Sequence, residues 1–167
     1  MKKYVLTGGP GSGKSTILLA LEEAGEYIIK EAAEDIIKLQ KANGILHPWE
    51  YWDFQERILN LQIKREQRIP EGIKKVFIDR GILDGLAYTK GSKTEKKIYA
   101  LIPKYNKIFL IENFGETKTN NLRRENQKEA LKLEEKFKGI YMNFGYEPIR
   151  ITPGTVNERV RQIKEAM

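Results

Sequence analysis

Apolar residues along this chain fall into short compact runs, separated by longer stretches in which they recur every three or four positions. The compact runs read as strands: Tyr4–Thr7, Tyr27–Ile29, Lys75–Asp79, Lys107–Glu112 and Pro148–Thr152. Helical spacing fills the intervals. Ile17, Leu18 and Leu21 share a face from about Lys14 to Glu23, and Gly25 ends that helix. Ala32, Ile36 and Leu39 recur over Glu31 to about Ala42, closed by Asn43 and Gly44. Pro48 suits a first helical position, and a long helix is expected from there to about Arg68, with Trp49, Trp52, Leu59 and Ile63 among its apolar positions. Further helices are predicted over Leu83 to about Thr89, Lys93–Leu101, Glu125–Tyr141 and Val156–Ala166, while 113–124 reads as polar loop. Strands alternating with helices specify an α/β domain, its sheet mainly parallel and covered on both faces.

A length of 167 residues fits a single domain over 1–167, and 40% hydrophobic residues suffice for a core. No apolar run approaches the roughly 18–20 residues of a membrane span. Lys2 and Lys3 precede only a few apolar residues, too short for a signal peptide. The absence of cysteine excludes disulfides and cysteine–zinc sites and is compatible with a reducing cytoplasm, the expected location. A net charge of +7 suits nucleic acid, anionic lipid or a polyphosphate. Lys90–Lys97 lacks interleaved aromatics and reads as solvated surface, so nucleic acid is not favoured.

The first strand runs into Gly8-x-x-x-x-Gly13-Lys14-Ser15, the P-loop pattern with a strand before it and a helix after it. Backbone N–H groups of Gly9, Pro10's neighbours, Gly11, Ser12, Gly13, Lys14, Ser15 and Thr16 would curl around phosphate oxygens, which requires glycine where a side chain would block approach. The helix N-terminus adds partial positive charge. Lys14 would reach the β- and γ-phosphates, and Ser15 would offer its hydroxyl to Mg2+. The run ending in Asp79 supplies a carboxylate for the metal at the end of a neighbouring strand, or a turn Asp that ends that strand. ATP is favoured over GTP, because the Asn106-Lys107 pair precedes a strand and Phe109 stands where a guanine-reading Asp would be. Arg80 projects at the same end of the sheet and could neutralise a phosphate, or pair with an acid. Asp84 either caps the helix it opens or contacts substrate. Glu31 either orients an acceptor hydroxyl or serves its helix start. Trp49, Trp52 and Phe54 are core at helical spacing, or stack on an acceptor ring. His47 reads as a loop residue and Arg159 as structural.

The P-loop, Asp79-Arg80-Gly81 followed by Asp84 and Tyr88, Glu31 after the second strand, and the late "GYEPIRITP" together resemble a P-loop nucleoside-kinase-like family. It is the AAA-type ATPase group containing the ribosylnicotinamide kinase domain of a bacterial NAD-metabolism regulator. The resemblance covers nearly the whole chain. It implies a three-layer fold with a five-stranded sheet in the order 2-3-1-4-5, and a substrate cleft between the helices after strands 2 and 3. It also implies a lid at about 114–128 carrying Arg123 and Arg124 as catalytic candidates, and a loop at Pro153 lying along adenine. Family members often carry a base near Glu34, which this chain lacks. Two functions follow from the resemblance. One is a Mg-ATP-dependent phosphotransferase acting on a small nucleoside- or nucleotide-like acceptor. The other is a nucleotide-regulated binding module that contacts RNA or anionic lipid.

Overall fold

The computed structural model describes residues 1–113 and 127–167, with the side chains of 127 and 128 left aside. Its strands are β1 (Lys2–Thr7), β2 (Tyr27–Ile29), β3 (Lys75–Asp79), β4 (Lys107–Ile111) and β5 (Ile149–Ile151). Its helices are α1 (Lys14–Glu23), α2 (Ala32–Ala42), α3 (Phe54–Gln67), α4 (Lys93–Leu101), α5 (Gln127–Asn143) and α6 (Val156–Glu165). Short 3-10 turns cover Pro48–Glu50 and Ile82–Ala87. All strand pairs are parallel, in the order β2-β3-β1-β4-β5.

Parallel pairing through crossover helices buries both faces of the sheet, so successive residues of one strand enter opposite cores. Val5, Val76, Ile78 and Ile108 pack with Leu59, Ile98 and Tyr141, which come from α3, α4 and α5. Tyr4, Leu6, Phe77 and Phe109 pack with Ile17, Leu21 and Ile163, from α1 and α6. The register sets Leu6 beside Asp79 and Thr7 beside Leu110. The C-terminal ends of the three central strands therefore lie together, where loops can converge.

The long helix expected from Pro48 does not form as one piece. The 3-10 turn ends at Glu50, Tyr51 is extended, and α3 starts only at Phe54. Trp52 is 90% exposed and is not core, whereas Phe54 is buried. The expected helix after Leu83 is likewise a 3-10 turn, tightened by hydrogen bonds from Asp84 N to Gly81 O and from Tyr88 N to Gly85 O.

Candidate functional site

The loop after β1 takes the shape its glycines permit. Gly8, Gly11 and Gly13 have φ of +139°, +77° and +86°, a region that side chains disfavour. A Cβ on Gly8 would stand 2.5 Å from Ile111 O, and one on Gly9 would stand 2.7 Å from Ala130 O. Gly13 caps α1 without a side-chain hydrogen bond, which leaves first-turn N–H groups for another acceptor. The Lys14 ammonium is buried in the loop and donates to Gly8 O at 3.1 Å, Gly9 O at 2.8 Å and Ser12 Oγ at 3.2 Å. Burial, then the charge of Arg80, lowers its pKa to about 8 against the pull of Asp79, Glu31 and Asp84. Left-handed glycines, a helix N-terminus without a side-chain cap and a buried ammonium are the elements from which an anion site is built.

At the mouth of this loop Ser15 Oγ donates to Asp79 Oδ2 at 3.2 Å. Asp79 Oδ1 is buried with no hydrogen-bond partner among the described residues. Burial raises the Asp79 pKa to about 6, opposed chiefly by Lys14. A hydroxyl beside a carboxylate with an unused oxygen is the hard donor set that Mg2+ accepts, so these residues fit the expected metal.

Arg80 follows Asp79 with φ +62°, unusual for a residue with a side chain, and its N–H donates to Leu6 O. Its guanidinium lies 4.8 Å from the Phe137 ring centroid. Its Nε donates to Glu31 Oε1 at 3.1 Å. Burial opposes its charge, but Glu31 and Asp84 outweigh burial and hold its pKa above the ordinary value. Glu31 precedes α2 and makes no capping hydrogen bond, so its carboxylate serves Arg80 instead of the helix start. Asp84 is buried and accepts from Gly81 N, Thr7 Oγ1 and the Tyr141 hydroxyl. It therefore caps the 3-10 turn and also forms part of a cavity wall. Burial raises its pKa, with Arg80 and these donors opposing. Burial and Asp84 push Tyr141 well above its usual range, so its hydroxyl stays a donor.

Glu31 and Arg80 stand at one wall of a cavity of about 250 Å³ whose other walls are largely apolar, including Trp49, Phe54, Ile58 and Tyr88. A second hollow, of about 220 Å³, is lined by Ser15, Asp79, Glu31, Glu34 and Lys38 among others. Glu31 thus borders both. Of the aromatic trio, Trp49 and Phe54 line the larger cavity and Trp52 does not.

Other expected positions divide. Pro10, in the loop, is half-buried, and Thr16, in the first turn of α1, is exposed. Pro153 is exposed on the turn before α6 and lines neither hollow. Arg123 and Arg124 lie outside the described residues. Arg159 is structural as expected, but its purpose is visible only in three dimensions. It is buried in α6 and donates to Ser12 O, Glu112 O and Thr152 O, tying the loop to the ends of β4 and β5. Thr7 and Tyr141 escaped the sequence reading. Each looks like an ordinary core position until the fold brings it to Asp84.

A family model described as an AAA domain matches residues 3–159. No curated protein sequence matches the chain. Among solved structures, the NadR protein in complex with NR superposes with a TM-score of 0.74 at 15% identity, covering 99% of this chain and 50% of that one. This chain thus spans about half the length of the NadR chain. Shikimate kinase from Acinetobacter baumannii in complex with shikimate gives 0.65 at 15% identity, covering 99% and 92%. Deoxyadenosine kinase from M. mycoides also gives 0.65 at 15% identity, covering 98% and 97%. The five-stranded order that the resemblance implied is the one observed, and the chain shares its fold with these proteins.

Proposed function

The chain belongs to the AAA-domain family, and on that premise we propose that it is a Mg-ATP-dependent phosphotransferase built as one domain over 1–167. Its acceptor in this reading is a small, nucleoside-like molecule. The observation that carries the reading is the Glu31–Arg80 pair, set between the glycine loop and an apolar, aromatic-walled cavity of about 250 Å³. The loop N–H groups and Lys14 hold the polyphosphate of ATP. Ser15 and Asp79 would hold Mg2+, which would supply neutralisation of phosphate charge. Trp49 and Phe54 take the flat part of the acceptor and exclude water from it.

The acceptor hydroxyl is presented beside Glu31. Its oxygen forms a bond to the terminal phosphorus, the bond from that phosphorus to the ADP oxygen breaks, and the hydroxyl proton passes to the Glu31 carboxylate. Arg80 is the cation of the cavity wall among the described residues, and it already faces Glu31 and Asp84. A phosphate on the acceptor would find little uncompensated positive charge there, which favours an acceptor with a bare hydroxyl over a nucleoside monophosphate. The kinases among the structural neighbours support a transfer reaction. The alternative, a nucleotide-regulated module on RNA or anionic lipid, rests on the net charge of +7.

The test is ADP release from Mg-ATP with and without nucleosides, ribosylnicotinamide and nucleoside monophosphates, with Lys14→Ala as the blank. Stimulation by one nucleoside, lost in the variant, is the expected result. Tight ATP binding with only a slow basal rate across the panel would sink the kinase reading and favour the module.

A further inference from the structure

One face of α3 lines the larger cavity through Gln55, Ile58, Leu59 and Gln62, at the i, i+3, i+4, i+7 spacing of a single helical stripe. Ile58 and Leu59 offer only apolar contact. The two amides differ in how firmly they are held. Gln55 makes no hydrogen bond among the described residues, so its amide can turn either end to a ligand. Gln62 is 4% exposed, and its Nε2 donates to Glu66 Oε1 at 3.2 Å. That direction follows from a chain of donors. Ile82 N–H donates to the Tyr105 hydroxyl at 2.8 Å, so the hydroxyl directs its own proton to Glu66 Oε1, at 3.1 Å. Lys3 Nζ donates to Glu66 Oε2 at 2.9 Å. A carboxylate paired with an ammonium only accepts, so Gln62 can meet it only with its NH2 group. The carbonyl Oε1 is the end left over. It has no partner among the described residues, yet it is not one of the sealed orphans such as Gln40 Oε1. Gln62 lies in the cavity wall and Glu66 does not, so the open side of Oε1 is the cavity.

We propose that Gln62 determines specificity: its fixed carbonyl takes a hydrogen bond from an N–H group on the flat part of the acceptor, which makes the substrate class a nucleoside with an amino or carboxamide group on its ring. Calling this ligand an acceptor rests on the phosphotransferase reading. The polarity of the amide rests on geometry alone. A ligand with hydrogen at that position leaves Oε1 unpaired, and one with a carboxylate sets acceptor against acceptor, so the cavity rejects both.

Calorimetric titration without ATP tests this with two matched pairs. Adenosine against purine riboside exchanges an amine for hydrogen. Ribosylnicotinamide against its nicotinic acid counterpart exchanges a carboxamide for a carboxylate. The wild-type chain should bind the donor-bearing member of at least one pair roughly ten- to hundredfold more tightly. Gln62→Met, similar in length and without the carbonyl, should cut that preference below about threefold, with affinity for the other member changed less than about twofold. A preference under about threefold in both pairs means that water serves Oε1, and it overturns the assignment. Failure of every riboside to bind overturns it too, as does a preference that survives in Gln62→Met. If Gln62→Met does not fold, the wild-type pairs decide alone. Preferential binding with no ADP release for any acceptor sinks the phosphotransferase reading and leaves Gln62 as the reader of a bound ligand. ADP release with equal affinities within both pairs sinks the assignment to Gln62 and leaves the phosphotransferase standing.

Discussion

Asp79 is asked to be buried and charged at once, and the cost is measurable. Burial lifts its pKa in the folded chain to about 6, above the ordinary carboxylate range, so the folded chain holds the proton more tightly than the unfolded one. Its contribution to stability is therefore present at low pH and is lost as pH rises through that window. Above it, the ionised carboxylate costs about 3 kcal/mol, taking about 1.4 kcal/mol per pKa unit. Asp79→Asn should raise the melting temperature at pH 7, leave it nearly unchanged at pH 4, and abolish Mg2+-dependent turnover. No gain in Tm at pH 7 would count against the burial argument. Lys14, lowered to about 8, frames the other side. A pH profile of kcat/KM should rise through about 6 as the carboxylate ionises and fall above about 8 as the ammonium is lost.

At the level of elements, the glycine loop is clamped from outside as much as it is shaped from within. Ala130 of α5 and Asn113 after β4 sit so close to Gly9 that a Cβ would lie 2.7 Å from each. Gly9→Ala must push α5 outward, and overpacking of this kind costs roughly 1–3 kcal/mol. Gly139, in the same helix, has nothing within 4 Å of a Cβ, so Gly139→Ala should gain up to about 1 kcal/mol of helix propensity. Thermal unfolding of the two variants should shift in opposite directions, with ATP affinity reduced only in Gly9→Ala. Similar shifts would mean that α5 does not brace the loop. The breaks between elements have local causes too. Pro48 opens a turn that Tyr51 leaves in extended geometry, so the aromatic run splits between turn and helix instead of forming one apolar stripe.

Across the whole molecule, the cavity lies on the α3–α4–α5 side of the sheet, with Arg80 and Glu31 in its wall. Its two tryptophans are unequal witnesses. Trp49 lines the wall, while Trp52 is 90% exposed and is absent from it. An aromatic acceptor should quench tryptophan emission in wild type and in Trp52→Phe, and should fail to do so in Trp49→Phe. Quenching that follows Trp52 instead would place the acceptor elsewhere.

What the amino-acid sequence determined by itself is whatever depends on neighbours in the chain. The period of apolar residues specified the five strands and most of the helices between them, because burial on one face or two is written locally. The glycine spacing specified the loop, because positive φ and close approach demand glycine at particular offsets. Lys14, Ser15, Asp79 and Arg80 were legible for the same reason, each standing at a fixed step from a strand end. The tertiary structure alone decided who meets whom across the sheet. Thr7 and Tyr141 are 134 positions apart and carry no motif, yet both reach Asp84. Arg159 acts on Ser12 from 147 positions away. Glu31 could have been a helix-start acid; a guanidinium from the residue after β3 makes it half of a pair. Such contacts arise from the packing of surfaces, and a chain read one neighbourhood at a time holds no record of which surfaces will touch.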